Sequence, residues 1–195
     1  MGPAEPPQPG EDLPLTLRAA LAGRTRDVID LPGHRAAAVL VPLFRRDREW
    51  RLLFTERGRG LRAHGGQVSF PGGAVEREET PERTALREAD EEVGVDPERV
   101  RVLGRLGDVP TPTGFVITPV VGWIDPAPAA YRISPVEVAE AFEVAVARFR
   151  APGALERLGE VERFGRRFPL IRYRVDGHDI WGATARMVQE LLSIW

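Results

Sequence analysis

The chain reads as an α/β protein, a mixed β-sheet covered by helices. Three observations point there. Apolar runs of strand length stand at residues 36–44 and 115–124. A capped amphipathic helix lies between them, at 80–93. Further strand signals follow at 168–175 and 178–180, so strands occur toward both ends with helices between. With 195 residues, 43% of them hydrophobic, the chain has the size of one domain and can bury a core.

Residues 1–14 hold five prolines and read as a disordered tail, leaving 15–195 as the single domain. A short helix is expected over 15–22, stopped by Gly23. The strand at 36–44 contains Pro42, which removes a ladder donor. Residues 45–49 form a polar turn into a second strand at 50–55, giving a hairpin. Residues 57–66 hold four glycines and form a loop; a short strand at 68–70 leads into Pro71-Gly72-Gly73. Thr80 is placed to cap the helix at 80–93, Pro81 suits its first position, and Gly94 stops it. A strand is expected at 100–106, separated from 115–124 by a Pro/Thr/Gly turn. Residues 125–135 connect to 136–146, which reads as strand then helix. Residues 153–163 look helical. Asp176-Gly177 is a hairpin signal between 168–175 and 178–180, and 183–192 is an amphipathic helix.

Composition narrows the function. The 27 basic and 29 acidic residues nearly cancel, which argues against a nucleic-acid partner or a membrane surface. Every basic residue is arginine, so Schiff-base and P-loop lysines are excluded and any phosphate clamp is built from Arg. No cysteine is present, which excludes disulfides, thiolate nucleophiles and Cys-ligated zinc. No apolar leader or long apolar run appears, so the expected location is the cytoplasm.

The helix at 80–93 carries the chemistry. On a helical wheel Ala85, Leu86, Ala89 and Val93 form one face. Glu88, Glu91 and Glu92 form an adjacent stripe. Like charges at these spacings cost roughly 0.2–0.5 kcal/mol per pair when exposed, and more in a cleft. A hard divalent cation with oxygen ligands, Mg²⁺ or Mn²⁺, relieves that repulsion. The glycine loop before the helix offers close backbone approach and free N–H groups to an anion.

Gly73, Glu79, Arg87, Glu88, Glu91, Glu92, Gly94 and Val95 stand in register with a 23-residue pattern and resemble the Nudix box. Ala89 is small for its position in that pattern. The resemblance implies an α/β/α sandwich around a mixed sheet, and Mg²⁺- or Mn²⁺-dependent hydrolysis of a nucleoside diphosphate linked to another group. It implies metal ligation by Glu88 and Glu92, with Glu91 as a further ligand. Arg87 then orients a glutamate through an ion pair. Glu91 is one candidate general base; Glu137 and Glu140 are the others.

The segment upstream sharpens the substrate. Arg57, then Arg62-Ala-His64-Gly-Gly66-Gln67-Val-Ser69-Phe-Pro-Gly72-Gly73, is similar to the extra motif of the coenzyme A pyrophosphatase branch. The stretch from Thr111 to Phe115 and that from Ile180 to Ala185 resemble the same branch. The implied substrate is coenzyme A or a derivative, and the products 3′,5′-ADP and 4′-phosphopantetheine. Arg57 and Arg62 are the natural phosphate clamps. His64, Gln67 and Ser69 are candidate hydrogen-bond partners, Gly72 and Gly73 candidate backbone contacts, and Phe115 a candidate stacking surface for adenine. The alternative is another nucleoside diphosphate derivative, such as ADP-ribose. A nucleotide-sensing module without activity is disfavoured, because all three glutamates are retained.

Overall fold

The computed structural model describes residues 13–58 and 66–195. The chain opens with α1 (Leu13–Ala22), two residues earlier than expected. The remainder of the anticipated tail lies outside the described residues. Two long strands follow, β1 (Arg35–Arg46) and β2 (Glu49–Arg57). The turn is only Asp47-Arg48, both at positive φ (52° and 65°), which suits the twist of a two-residue hairpin. After β3 (Val68–Ser69) and β4 (Gly72–Ala74) comes α2 (Pro81–Val93). Then come β5 (Val100–Arg105), β6 (Val109–Pro110), β7 (Phe115–Ile124), β8 (Val138–Ala145) and the single turn α3 (Val146–Phe149). The chain ends with β9 (Leu155–Arg163), β10 (Arg166–Val175), β11 (His178–Trp181) and α4 (Gly182–Ile194).

The main sheet is mixed, in the order β3-β2-β1-β7-β5, with β8 on β2, β4 on β1 and β6 on β7. Among the described residues, only β1 and β7 run parallel. Pro42 fits because one edge of β1 is shared by two partners. β4 pairs with 37–39 and β2 with 43–46, so Pro42 falls in the gap between them. α2 packs Ala85, Ala89 and Val93 on Ala38, Leu40 and Val120 of one sheet face. Its two alanines bring the helix close to the strands. The other face, with Val39, Val41, Leu52 and Phe54, meets α1, α4 and a separate antiparallel sheet, β9-β10-β11. This is the expected α/β architecture, with part of its second outer layer built from strands.

That last point corrects the reading of 153–163 as helical. Leu155, Leu158 and Val161 mimic helical spacing, yet they lie on β9. Leu155 pairs with Tyr173 and Val161 with Phe168, while the register shifts between Leu170 and Ile171 and skips Leu158. Gly159, at φ 120°, accommodates the irregularity. The bulge broke the two-residue period that identifies a strand.

Candidate active site

Local chemistry fixes α2 at both ends. The Thr80 hydroxyl accepts the Arg83 N–H at 3.3 Å. Gly94 adopts the left-handed conformation (φ 71°), and its N–H reaches the carbonyls of Ala89 and Asp90. With the helix held by its alanine face, Glu88 and Glu92, one turn apart, point to one side. There a cleft of about 900 Å³ opens between the main sheet and the three-stranded sheet.

Of the residues singled out in the sequence, Arg57, Gln67, Ser69, Gly72, Gly73, Glu88, Glu92, Phe115 and Glu137 line this cleft. Arg62 and His64 lie outside the described residues. Arg87 and Glu91 are not among the cleft's lining residues; the Glu91 side chain is 57% exposed and pairs with Arg87 at 3.1 Å. Glu140 is not in the cleft either. It stands opposite Glu56 in the β2–β8 ladder, and the two share a cluster with His178, ligand atoms within 4.8 Å of one another.

The glycine pair and the helix interlock. The Gly72 N–H donates to Glu92 Oε2 at 3.3 Å. A Cβ on Gly72 would stand 2.6 Å from Val39 Cα, and one on Gly73 within 2.7 Å of both Glu88 oxygens. Glycine is therefore required at 72, where β4 crosses the β1 backbone, and at 73 it leaves room for the Glu88 carboxylate.

Electrostatics marks the same pair. Burial pushes the Glu92 carboxyl up to about 7, reinforced by Glu88 and Glu137 and opposed by the Gly72 N–H and Arg57. Burial also raises Glu88, against the Arg87 guanidinium. Glu88, Glu92 and Glu137 thus line one cleft and repel one another electrostatically, and carboxylate oxygens are the donors a hard divalent cation takes. Glu79 behaves oppositely. Hydrogen bonds from Arg87, then from Thr84, lower it to about 2. Arg87 grips Glu79 with two bonds, at 3.0 and 3.1 Å, and turns its remaining nitrogen to Glu88 at 2.9 Å. Arg87 thus ties the Glu79 and Glu88 carboxylates together.

The far wall was partly legible in the sequence: Trp181 falls in the stretch from Ile180 to Ala185 singled out above, whereas Phe168 and Arg186 carried no signal. Phe168, Trp181 and Arg186 line it, from β10, β11 and α4. α4 is pinned at its start by the Thr184 hydroxyl, which donates to the Val68 carbonyl at 3.1 Å. The turn at 111–115 is closed by Thr111, whose hydroxyl accepts the Phe115 N–H at 3.1 Å. One face of Phe115 is already covered by the Arg35 guanidinium, 5.4 Å from the ring centroid.

Comparison with known proteins identifies the family. The NUDIX domain family model matches residues 33–164. A Citrobacter koseri protein named uncharacterized Nudix hydrolase NudL is 44% identical over 169 residues, covering 80% of this chain and 81% of its own. An Escherichia coli protein of the same name is 42% identical over 159 residues, covering 81% of each. The crystal structure of a MutT/nudix family protein from Enterococcus faecalis superimposes with a TM-score of 0.54 at 18% identity, over 87% of this chain and 65% of that one, a likeness of fold.

Proposed function

The chain belongs to the Nudix hydrolase family, and we propose that its member reaction is hydrolysis of the diphosphate in coenzyme A or a derivative, yielding 3′,5′-ADP and 4′-phosphopantetheine. The observation that carries this reading is the segment from Arg57 to Gly73. It is similar to the coenzyme A pyrophosphatase motif, and its described part enters the cleft directly beside Glu88 and Glu92.

In this reading Glu88 and Glu92 hold Mg²⁺ or Mn²⁺. The bound cation supplies charge neutralisation of the diphosphate and acidification of a water. The chain does the rest. Arg87 fixes the Glu88 carboxylate, and the Gly72 N–H fixes that of Glu92. Arg57 offers a guanidinium to the phosphates, Gln67 and Ser69 offer hydrogen bonds, and the free ring face of Phe115 offers a surface to adenine. Water adds to one phosphorus, the bridging P–O bond breaks, and the bridging oxygen leaves with the other phosphate. Glu137 accepts the proton of that water, since it lines the cleft while Glu91 is turned toward Arg87.

The test is a substrate panel of coenzyme A, ADP-ribose and dinucleoside polyphosphates with Mg²⁺ or Mn²⁺, scored for 3′,5′-ADP against AMP. Release of 3′,5′-ADP from coenzyme A with the highest kcat/KM is expected. A higher kcat/KM for ADP-ribose would overturn the substrate assignment.

A further inference from the structure

We propose that the cleft contains a second anion subsite, made by the Arg186 guanidinium over the Phe168 ring, which takes a phosphate monoester carried by the substrate. The proposal rests on the preceding reading that the substrate is a nucleotide diphosphate derivative. It adds a recognition element for which the diphosphate chemistry has no use.

Arg186 and Phe168 both line the cleft, and the guanidinium carbon lies 4.3 Å from the ring centroid. Stacking covers one face of the guanidinium but leaves its in-plane N–H donors available, held in a fork that matches phosphate oxygens. Arg186 is partly buried, and that burial works against its charge. A cation in such a position calls for an anion.

None of the described residues supplies one. Arg186 has no ion pair or hydrogen bond with a described carboxylate, and the two carboxylates in electrostatic reach, Asp27 and Glu190, are engaged elsewhere. Asp27 binds Arg166 at 2.8 Å. Glu190 pairs with Arg24 and also accepts the Gly107 N–H at 2.9 Å. Three guanidiniums, those of Arg24, Arg166 and Arg186, therefore share two carboxylates, and the unmatched one lines the cleft. A phosphate monoester has the charge and the oxygen geometry to complete it. On coenzyme A that group is the 3′-phosphate; ADP-ribose and 5′-AMP lack it.

The experiment reads ligand ratios in the intact protein with Mg²⁺ present. Calorimetric titration compares 3′,5′-ADP with 5′-AMP, and kinetics compare coenzyme A with 3′-dephospho-coenzyme A. Wild type is expected to favour the 3′-phosphorylated ligand in both by about 10–100-fold, the range of a charge-assisted hydrogen bond. Arg186→Gln is expected to bring both ratios to within about 3-fold of one. Arg186→Met, which retains the stem over Phe168, is expected to do the same and serves if the first variant does not fold. A wild-type ratio near one, or a ratio that survives in a folded variant, overturns the subsite. A binding ratio that depends on Arg186 without turnover of coenzyme A refutes the proposed substrate and leaves the subsite standing.

Discussion

Replacing Glu92 by Gln is expected to stabilise the metal-free protein at pH 8 while abolishing its catalysis. The Glu92 carboxyl is 6% exposed, and burial raises it from 4.5 to about 7. Between those two values the folded protein binds a proton that the unfolded chain has lost. Stability from this group is therefore fully present below pH 4.5 and falls as pH rises through 7. A rise of that size, at 1.36 kcal/mol per pH unit, corresponds to about 3 kcal/mol by pH 8. Gln has no charge to desolvate and can still accept the Gly72 N–H. The variant should thus gain about 3 kcal/mol at pH 8, equivalent to roughly 6–12 °C in melting midpoint for a chain of this length. The gain should vanish near pH 4.5. Thermal and urea unfolding in EDTA at both pH values measure it. With saturating Mn²⁺ the order should reverse, because wild type binds the ion and the variant does so weakly. A variant no more stable than wild type in EDTA at pH 8 would refute the reasoning.

Other substitutions probe the remaining parts of the site. Glu88→Gln and Glu137→Gln should each lower kcat by about 10²-fold or more, the scale of lost electrostatic or general-base groups. A Glu137 variant with wild-type turnover would remove it from the proton transfer. Gly73→Ala should fold, since the added methyl meets only the carboxylate end of Glu88 and not backbone, but by displacing that carboxylate it should lower Mn²⁺ affinity by at least about 10-fold by titration, on the scale of disturbed ligand orientation. Arg87→Gln should raise the Glu79 pKa. Stability from Glu79 is present above pH 4.5 and lost as pH falls through about 2, so the variant should unfold at higher pH in an acid titration followed by circular dichroism. An unchanged acid midpoint would count against the Arg87–Glu79 clamp.

Much of this molecule was legible where local chemistry decides the outcome. Thr80, Pro81 and Gly94 specify α2 through caps that need no tertiary partner. Asp176-Gly177 specifies the β10–β11 turn through its positive φ angles of 49° and 86°. What escaped was decided at a distance. A helical wheel groups Glu88, Glu91 and Glu92, but only the seating of α2 on Ala38 and Leu40 decides that Glu91 faces away from the cleft. Glu137 and Glu140 looked equivalent. Glu137 closes the turn before β8, its N–H donating to the Ser134 carbonyl at 3.1 Å, whereas Glu140 lies within the strand opposite Glu56, and of the two only Glu137 lines the cleft. Arg186 and Phe168 meet across 18 residues of sequence through a hairpin and a helix start, and no spacing rule announces such a pair.

The two walls of the cleft hang on opposite faces of the main sheet. α2 rests on β1, β4, β7 and β8, whereas α4 packs on β10 and β11. The glutamates that would break a bond and the side chains that would select its bearer thus answer to different cores. The family match ends at residue 164, before Phe168, Trp181 and Arg186 begin the second wall. Remodelling that C-terminal segment, by exchange of β10 through α4, offers a route to new substrates that leaves the bond-breaking carboxylates seated as they are.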